Sequence, residues 1–345
     1  RRSLIISIVV LVLIGLGAAV YFYISTSSAG IEVSPVGDTS FPVAGQGTSG
    51  GGTSVGGGSA ADTTPGAPVS VSARLVQISQ GPVVPGVAVV DMKAKDASST
   101  PEVVVNYIER GSGNVFSYFA RAKTLTRVNN KTIPGIQSAK WLPNGSLSLV
   151  RYLSGSDFST INTYALAATS SSGFFLPQNL ADLAISTAGI LTLSSGVNGS
   201  IASLSRLDGT RSATLFTTPL SSLRVSFLGK NQYLAFTKPS GTLSGNAFVV
   251  DSAGHFSRIA GPANGLVALA SPSGKWVLVS SATGSSMQLE LVDTATGSSI
   301  ALPIATIADK CAWTADDAAV YCGVPVSPDS YLYPDDWYQG AAHFS

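Results

Sequence analysis

Charge is scarce in this chain. Asp, Glu, Lys and Arg make up 11% of its 345 residues, where an ordinary soluble domain carries about 25%. The 20 Lys and Arg offset 19 Asp and Glu, leaving a net charge of +1. A near-neutral chain this poor in charge is a weak candidate for nucleic-acid binding, which needs a basic face to neutralise phosphates, so no nucleic-acid partner is expected. Glu occurs only at Glu32, Glu102, Glu109 and Glu290, and His only at His255 and His343. So thin a stock of acid–base and metal-binding groups predicts neither a cofactor nor a bound metal. The glycine runs at 50–52 and 56–58 are not followed by the Lys-Ser/Thr that a phosphate loop needs. Apolar material is plentiful: 45% of the residues are hydrophobic, which rules out disorder throughout.

The apolar material is unevenly placed. Leu4 to Ser25 carries no charge and is almost wholly apolar; as a helix it would extend about 33 Å, enough to cross a bilayer core. Arg1 and Arg2 precede it, and Tyr21, Phe22 and Tyr23 close it. Positive charge stays cytoplasmic and aromatic rings favour the interface. Residues 1–26 therefore read as a single-pass anchor with its N-terminus in the cytoplasm, and the rest of the chain is expected outside, at the cell surface or in the periplasm. The competing reading is a cleaved signal peptide, whose apolar region is usually shorter. Residues 27–70 hold 11 Gly, 8 Ser, 5 Thr and 4 Pro. Such a chain buries too little to offset its entropy, so a flexible tether with a reach of about 36 Å is expected.

From residue 71 to 345 the pattern changes to short strands separated by turn residues. The segments AKWLPNGSLSLVRYL, LAISTAGILTLSSG, VSFLGKNQYLAFTK, LASPSGKWVLVSS and CAWTADDAAVYCG align on Trp141, Ile185, Phe227, Ala270 and Trp313, at spacings of 44, 42, 43 and 43. Each reads as strand, tight turn, strand. A period of 40–45 residues without helical periodicity is the mark of propeller blades. Around Pro85–Gly86 the chain also resembles the region around Pro134–Gly135, so the domain should open on an outer strand near Arg74–Ser79. That strand would complete a last blade over 309–345 and close a six-bladed, all-β propeller.

The repeats carry a resemblance. ASPSGKWVLVSS and CAWTADDAAVYCG are similar to the W-S-P-D-G-K repeats of TolB-like, WD40-like bacterial propellers. The turn Ser271–Pro272–Ser273–Gly274–Lys275 is the nearest copy, and Trp141 and Trp313 keep the Trp. The resemblance implies an extracytoplasmic six-bladed propeller acting as an interaction platform. The Gly-His and Trp-Asp pairs of eukaryotic WD40 repeats are absent, so the structural tetrad they support is not expected.

Few residues stand out as chemistry. Cys311 and Cys322 flank the turn Ala315–Ala318 symmetrically, which places them opposite each other on paired strands, within reach of a disulfide. In an exported domain that spacing reads as a structural bridge. Tyr107, Glu109, Arg110, Arg151 and Tyr152 could form a sugar site with acid and Arg groups paired; the plainer reading is second-strand residues ending near solvent. The S-x-D-x-G-x-x-W box of sialidases appears nowhere intact. The stretch PVSPDSYLYPDDWYQG (Pro325–Gly340) gathers Tyr333, Trp337 and Tyr338 with Asp335 and Asp336. It reads as a recognition loop, as aromatics packed over a blade edge, or as a calcium site. The strand ends at Glu109–Arg110, Arg151–Tyr152 and Lys238–Ser240 and the long loop Pro325–Asp336 are expected around one mouth of the ring, and the protein reads as a non-catalytic protein-binding or scaffolding module. Its partner would then be an envelope protein or polysaccharide. The alternative is a carbohydrate-binding or glycoside-hydrolase-like propeller enzyme.

Overall fold

The computed structural model describes residues 76–93, 100–170, 172–284, 286–326 and 332–344. The expected membrane helix and tether lie outside the described residues. Among the described residues no helix is long and apolar enough to cross a membrane.

Strand follows strand in antiparallel meanders. The first sheet is β1 (Ala88–Met92), β2 (Glu102–Ile108), β3 (Val115–Phe119) and β4 (Thr124–Asn129). The second holds β5 (Ile136–Trp141), β6 (Leu147–Ser154), β7 (Thr160–Ala167) and β8 (Gly173–Phe175). The third is β9 (Asp182–Ser186), β10 (Gly189–Gly196), β11 (Gly199–Ser205) and β12 (Ala213–Thr218). The fourth is β13 (Leu223–Leu228), β14 (Gln232–Thr237), β15 (Ser244–Val250) and β16 (Phe256–Asn264), and the fifth is β17 (Val267–Ala270), β18 (Trp276–Thr283), β19 (Ser286–Asp293) and β20 (Ser299–Leu302). In each sheet the strands lie in chain order, and the first strands of the second to fifth sheets pack one against the next. These are β-propeller blades. The aligned residues Trp141, Ile185, Phe227, Ala270 and Trp313 all fall on the first strand of their units.

The core lies between blades. Leu234, Ala235 and Phe236 are all buried, as are Val277, Leu278 and Val279, because a blade sandwiched between two neighbours has no solvent face on its inner strands. That is why these strands read as apolar runs and not as alternating ones. The fourth strands are more exposed, as β20 is.

The expected sixth blade is not completed among the described residues. Among the described residues there are five four-stranded blades, and the last unit is a two-stranded hairpin, β21 (Cys311–Trp313) with β22 (Val320–Cys322). Beyond β22 the described chain makes only an isolated bridge, Pro325 with Phe344; Pro334 has no N–H for a ladder, and the residues after it form a one-turn helix, α1 (Asp335–Tyr338). The closing strand expected near Arg74–Ser79 is not seen either: Val76–Ser79 joins no strand, and residues 71–75 lie outside the described ones. The neighbouring Pro82–Gly86 segment is engaged elsewhere. Val84 N donates to Ile108 O at 2.8 Å in the first blade, and Pro85 O accepts from Ala139 N at 2.8 Å in the second.

The disulfide is present. Cys311 and Cys322 are directly opposite in the β21–β22 register and bonded to each other.

Candidate ligand-binding mouth

A propeller gathers the starts of its first strands and the loops between second and third strands at one end of the blades. Here that end holds an open cavity of about 520 Å³. Asp182 opens β9, Arg224 stands second on β13, and Lys140 comes from β5; Arg151 on β6 and Lys238 just past β14 complete its charged lining. Ser195, Ser221 and Ser222 add hydroxyls.

The charges are tied down unequally. Lys140 Nζ lies 3.3 Å from Asp182 Oδ1 and donates to Leu183 O at 2.6 Å. The other oxygen of Asp182 accepts from Val225 N at 2.9 Å, bridging the third and fourth blades. Arg224 Nη1 lies 3.2 Å from Asp309 Oδ2, the same atom that accepts the Tyr338 hydroxyl at 2.7 Å. Burial pulls the Arg224 guanidinium down, but Tyr338, Asp309 and Asp182 outweigh it and raise its pKa. Arg151 donates from Nη2 to Leu180 O at 2.5 Å, while its Nε is buried without an acceptor. Burial lowers its pKa, with Asp182 acting against the shift. The Lys238 side chain is exposed and has no partner among the described residues.

Of the residues singled out in the sequence, Arg151 lines this cavity, and Tyr338 reaches its rim through Arg224. Tyr107 does not: it is 3% exposed and stacks on Phe116 with ring centres 5.7 Å apart. Glu109 lies at the end of β2 and accepts from Ser112 Oγ at 2.5 Å, and Arg110 is exposed in the turn that follows. Tyr152 packs into the cluster between the first two blades. Tyr333 is buried with Met287, Ile307 and Ala342. Trp337 meets Phe344 edge-on at 5.4 Å, with Lys310 Nζ 3.1 Å above its ring centre. Asp335 Oδ2 accepts from Gly241 N, and Asp336 Oδ2 from Leu332 N at 2.7 Å. The described part of the aromatic stretch is therefore anchored on the fourth and fifth blades.

Lys238 was expected at one mouth with Arg151, and both line this cavity; Lys140, Asp182 and Arg224 were not anticipated. A signal was available for two of them: Asp182 and Arg224 each stand three residues before the aligned Ile185 and Phe227, as Lys310 does before Trp313. Charges recurring at one register of an apolar repeat mark a shared rim.

The opposite end carries a second cavity of about 700 Å³, lined by Pro143, Phe227, Lys230, Pro272 and Trp313 among others. It is apolar where the first is charged.

No protein-family model matches the chain, and no curated protein sequence matches it. Solved structures do resemble it. An oligogalacturonate lyase in complex with manganese is 9% identical, with a TM-score of 0.48 over 64% of this chain and 70% of that one. TolB from Acinetobacter baumannii is 14% identical, with a TM-score of 0.45 over 65% of this chain and 55% of that one. A nidogen/laminin complex is 13% identical, at 0.42 over 63% and 78%. At such values it is the sheet topology of this chain that carries its fold.

Proposed function

We propose that this protein is a membrane-tethered, extracytoplasmic propeller that works as a non-catalytic binding module and docks its partner at the charged mouth. The observation that supports this reading is the convergence of Lys140, Arg151, Arg224 and Lys238 on one open cavity carried by the rigid strands of three blades. Binding groups concentrate where a stiff scaffold presents strand ends and loops. Both nearby carboxylates already accept structural hydrogen bonds, Asp182 from Val225 N and Asp309 from Tyr338, which suits binding better than proton transfer. Placement outside the cytoplasm is supported by the disulfide, since such bonds persist in oxidising compartments. The Arg-flanked apolar run supports the tether.

The test is affinity purification of the tagged full-length chain from its native envelopes. The mouth variants Arg151→Gln and Lys238→Glu should each lower partner recovery about tenfold or more. Asn144→Ala and Lys230→Ala, at the other end of the blades, should leave it unchanged. Loss in the second pair with retention in the first would overturn the assignment of the working end.

A further inference from the structure

We propose that the mouth recognises an acidic polypeptide segment, seating a partner's Asp or Glu carboxylate between Arg151 and Lys238. This rests on the binding-module reading and names its ligand. Among the described residues, Lys140, Arg151, Arg224 and Lys238 face only Asp182 and, through Arg224, Asp309. Two positive charges are left uncompensated on a chain whose whole net charge is +1. The excess is therefore local, and it sits in a concave site, where the field of like charges is focused.

Arg151 is already set for such a ligand. Its guanidinium is fixed by Leu180 O and uses one donor of five. A held fork loses little entropy on taking a carboxylate, which matches its geometry. Lys238, exposed and unpartnered across the cavity, supplies a second, mobile charge.

Polypeptide is favoured over other anions by what the adjoining positions already hold. Asp309 places its carboxylate on Arg224 and Tyr338, and Asp335 places its own on the backbone N–H of Gly241, three residues beyond Lys238. The rim of the fourth blade thus receives two Asp side chains from this chain's own C-terminal stretch. A third carboxylate from a partner would extend the same row. A nucleic acid would need a tract of cations along its backbone, whereas these converge on one cavity.

The experiment is fluorescence anisotropy on the full-length chain in detergent micelles. The probe is a labelled peptide alternating Glu and Gly, and its control carries Gln in place of Glu. The Glu peptide should bind, and the Gln peptide at least about tenfold more weakly. Lys238→Glu, at an exposed site that does not threaten the fold, should weaken the Glu peptide by about tenfold or more, and Arg151→Gln by a similar factor. Absence of binding, equal binding of both peptides, or no effect of Lys238→Glu overturns the inference. So does displacement of the Glu peptide by inorganic phosphate or an oligouronate at lower concentration than by unlabelled Glu peptide. If the inference fails while the mouth variants still lose the native partner, the binding module stands and only its ligand class falls.

Discussion

Arg224 on the fourth blade and Asp309 beyond the fifth lie 3.2 Å apart across 85 residues of sequence. Tyr338 completes the group: its hydroxyl donates to Asp309 and its ring lies 4.9 Å from the Arg224 guanidinium. Three distant pieces of chain are thereby held together at the rim of the mouth, and the C-terminal helix is fixed against a blade formed a hundred residues earlier.

The phenol makes this group pH-sensitive. Although Tyr338 is 40% exposed, its hydroxyl is turned inward, and burial together with the Asp309 charge raises its pKa. A raised pKa means that folding favours the protonated form. Its stabilisation is fully present below the unfolded value near 10 and is lost as pH rises through the folded value. Tyr338→Phe should cost about 1 kcal/mol at neutral pH. It should also flatten the fall in stability above pH about 10. Urea unfolding across that range checks both. A variant whose alkaline slope matches the parent's would remove Tyr338 from the linkage.

Two Pro-Gly pairs resemble each other in sequence, yet they should respond differently to mutation. Gly86 has φ +108°, and a Cβ there would stand 1.8 Å from Ala139 O. Its own carbonyl accepts the Trp141 indole N–H at 3.1 Å, so the first two blades meet at this glycine. Gly135 has φ +73° and open space where a Cβ would go. Gly135→Ala should cost about 1 kcal/mol, the strain of a left-handed residue. Gly86→Ala should cost more than about 3 kcal/mol, because backbone must move. Thermal melts of the two variants decide; equal losses would mean that the blades do not meet there.

Much of this architecture was legible in the sequence, and the part that was not has physical causes. The strand–turn–strand units aligned on Trp141, Ile185, Phe227, Ala270 and Trp313 marked the blades because the second strand of a blade packed between two neighbours must be apolar, as Leu234–Phe236 and Val277–Val279 are, and that requirement recurs with each blade. Cys311 and Cys322 were legible because a hairpin fixes register from its turn. The number of complete blades was not. It depends on whether β22 finds a third strand, and the stretch after it, with its prolines and aromatics, reads equally as a loop between strands or as a separate cap. The mouth was legible only in part: the blade topology places the strand ends at Arg151 and Lys238 together, whereas Lys140, Asp182 and Arg224 are single charges on three successive blades, and only the closing of blade against blade brings them in.

The disulfide should stabilise the hairpin that takes the place of a full blade. Its two cysteines are 11 residues apart, and in the chain-entropy account a loop of that size is worth about 2.8 kcal/mol. The double variant Cys311→Ala/Cys322→Ala should lose about that amount in denaturant titrations, and reduction of the parent should reproduce the loss. Non-reducing peptide mapping of protein taken from native envelopes should show the linked pair. Free thiols at both positions in that material would count against both the bridge and the extracytoplasmic placement.

The hairpin has a second fastening, and it should respond to acid. Asp317, in the turn between β21 and β22, reaches the preceding blade: Ser271 Oγ donates to Oδ2 at 2.8 Å and Ser273 N donates to Oδ1 at 3.2 Å. Burial would raise the carboxyl's pKa, but the hydrogen bonds from Ser273 and Ser271 outweigh it, and the pKa is lowered. A lowered pKa places the stabilisation above the unfolded value near 3.9, and it is lost as pH falls through the folded value. Asp317 has φ +59°, a conformation that Asn also tolerates, so Asp317→Asn removes the charge without adding backbone strain. At neutral pH that substitution should cost about 1 kcal/mol, the lower end for a charged hydrogen-bond acceptor because the site is partly exposed. Below the folded value the parent is protonated as well, and the two proteins should converge. Unfolding free energies measured at both pH values give the answer. A gap that persists unchanged into acid would show that the side chain's shape, and not its charge, holds the hairpin to the fifth blade.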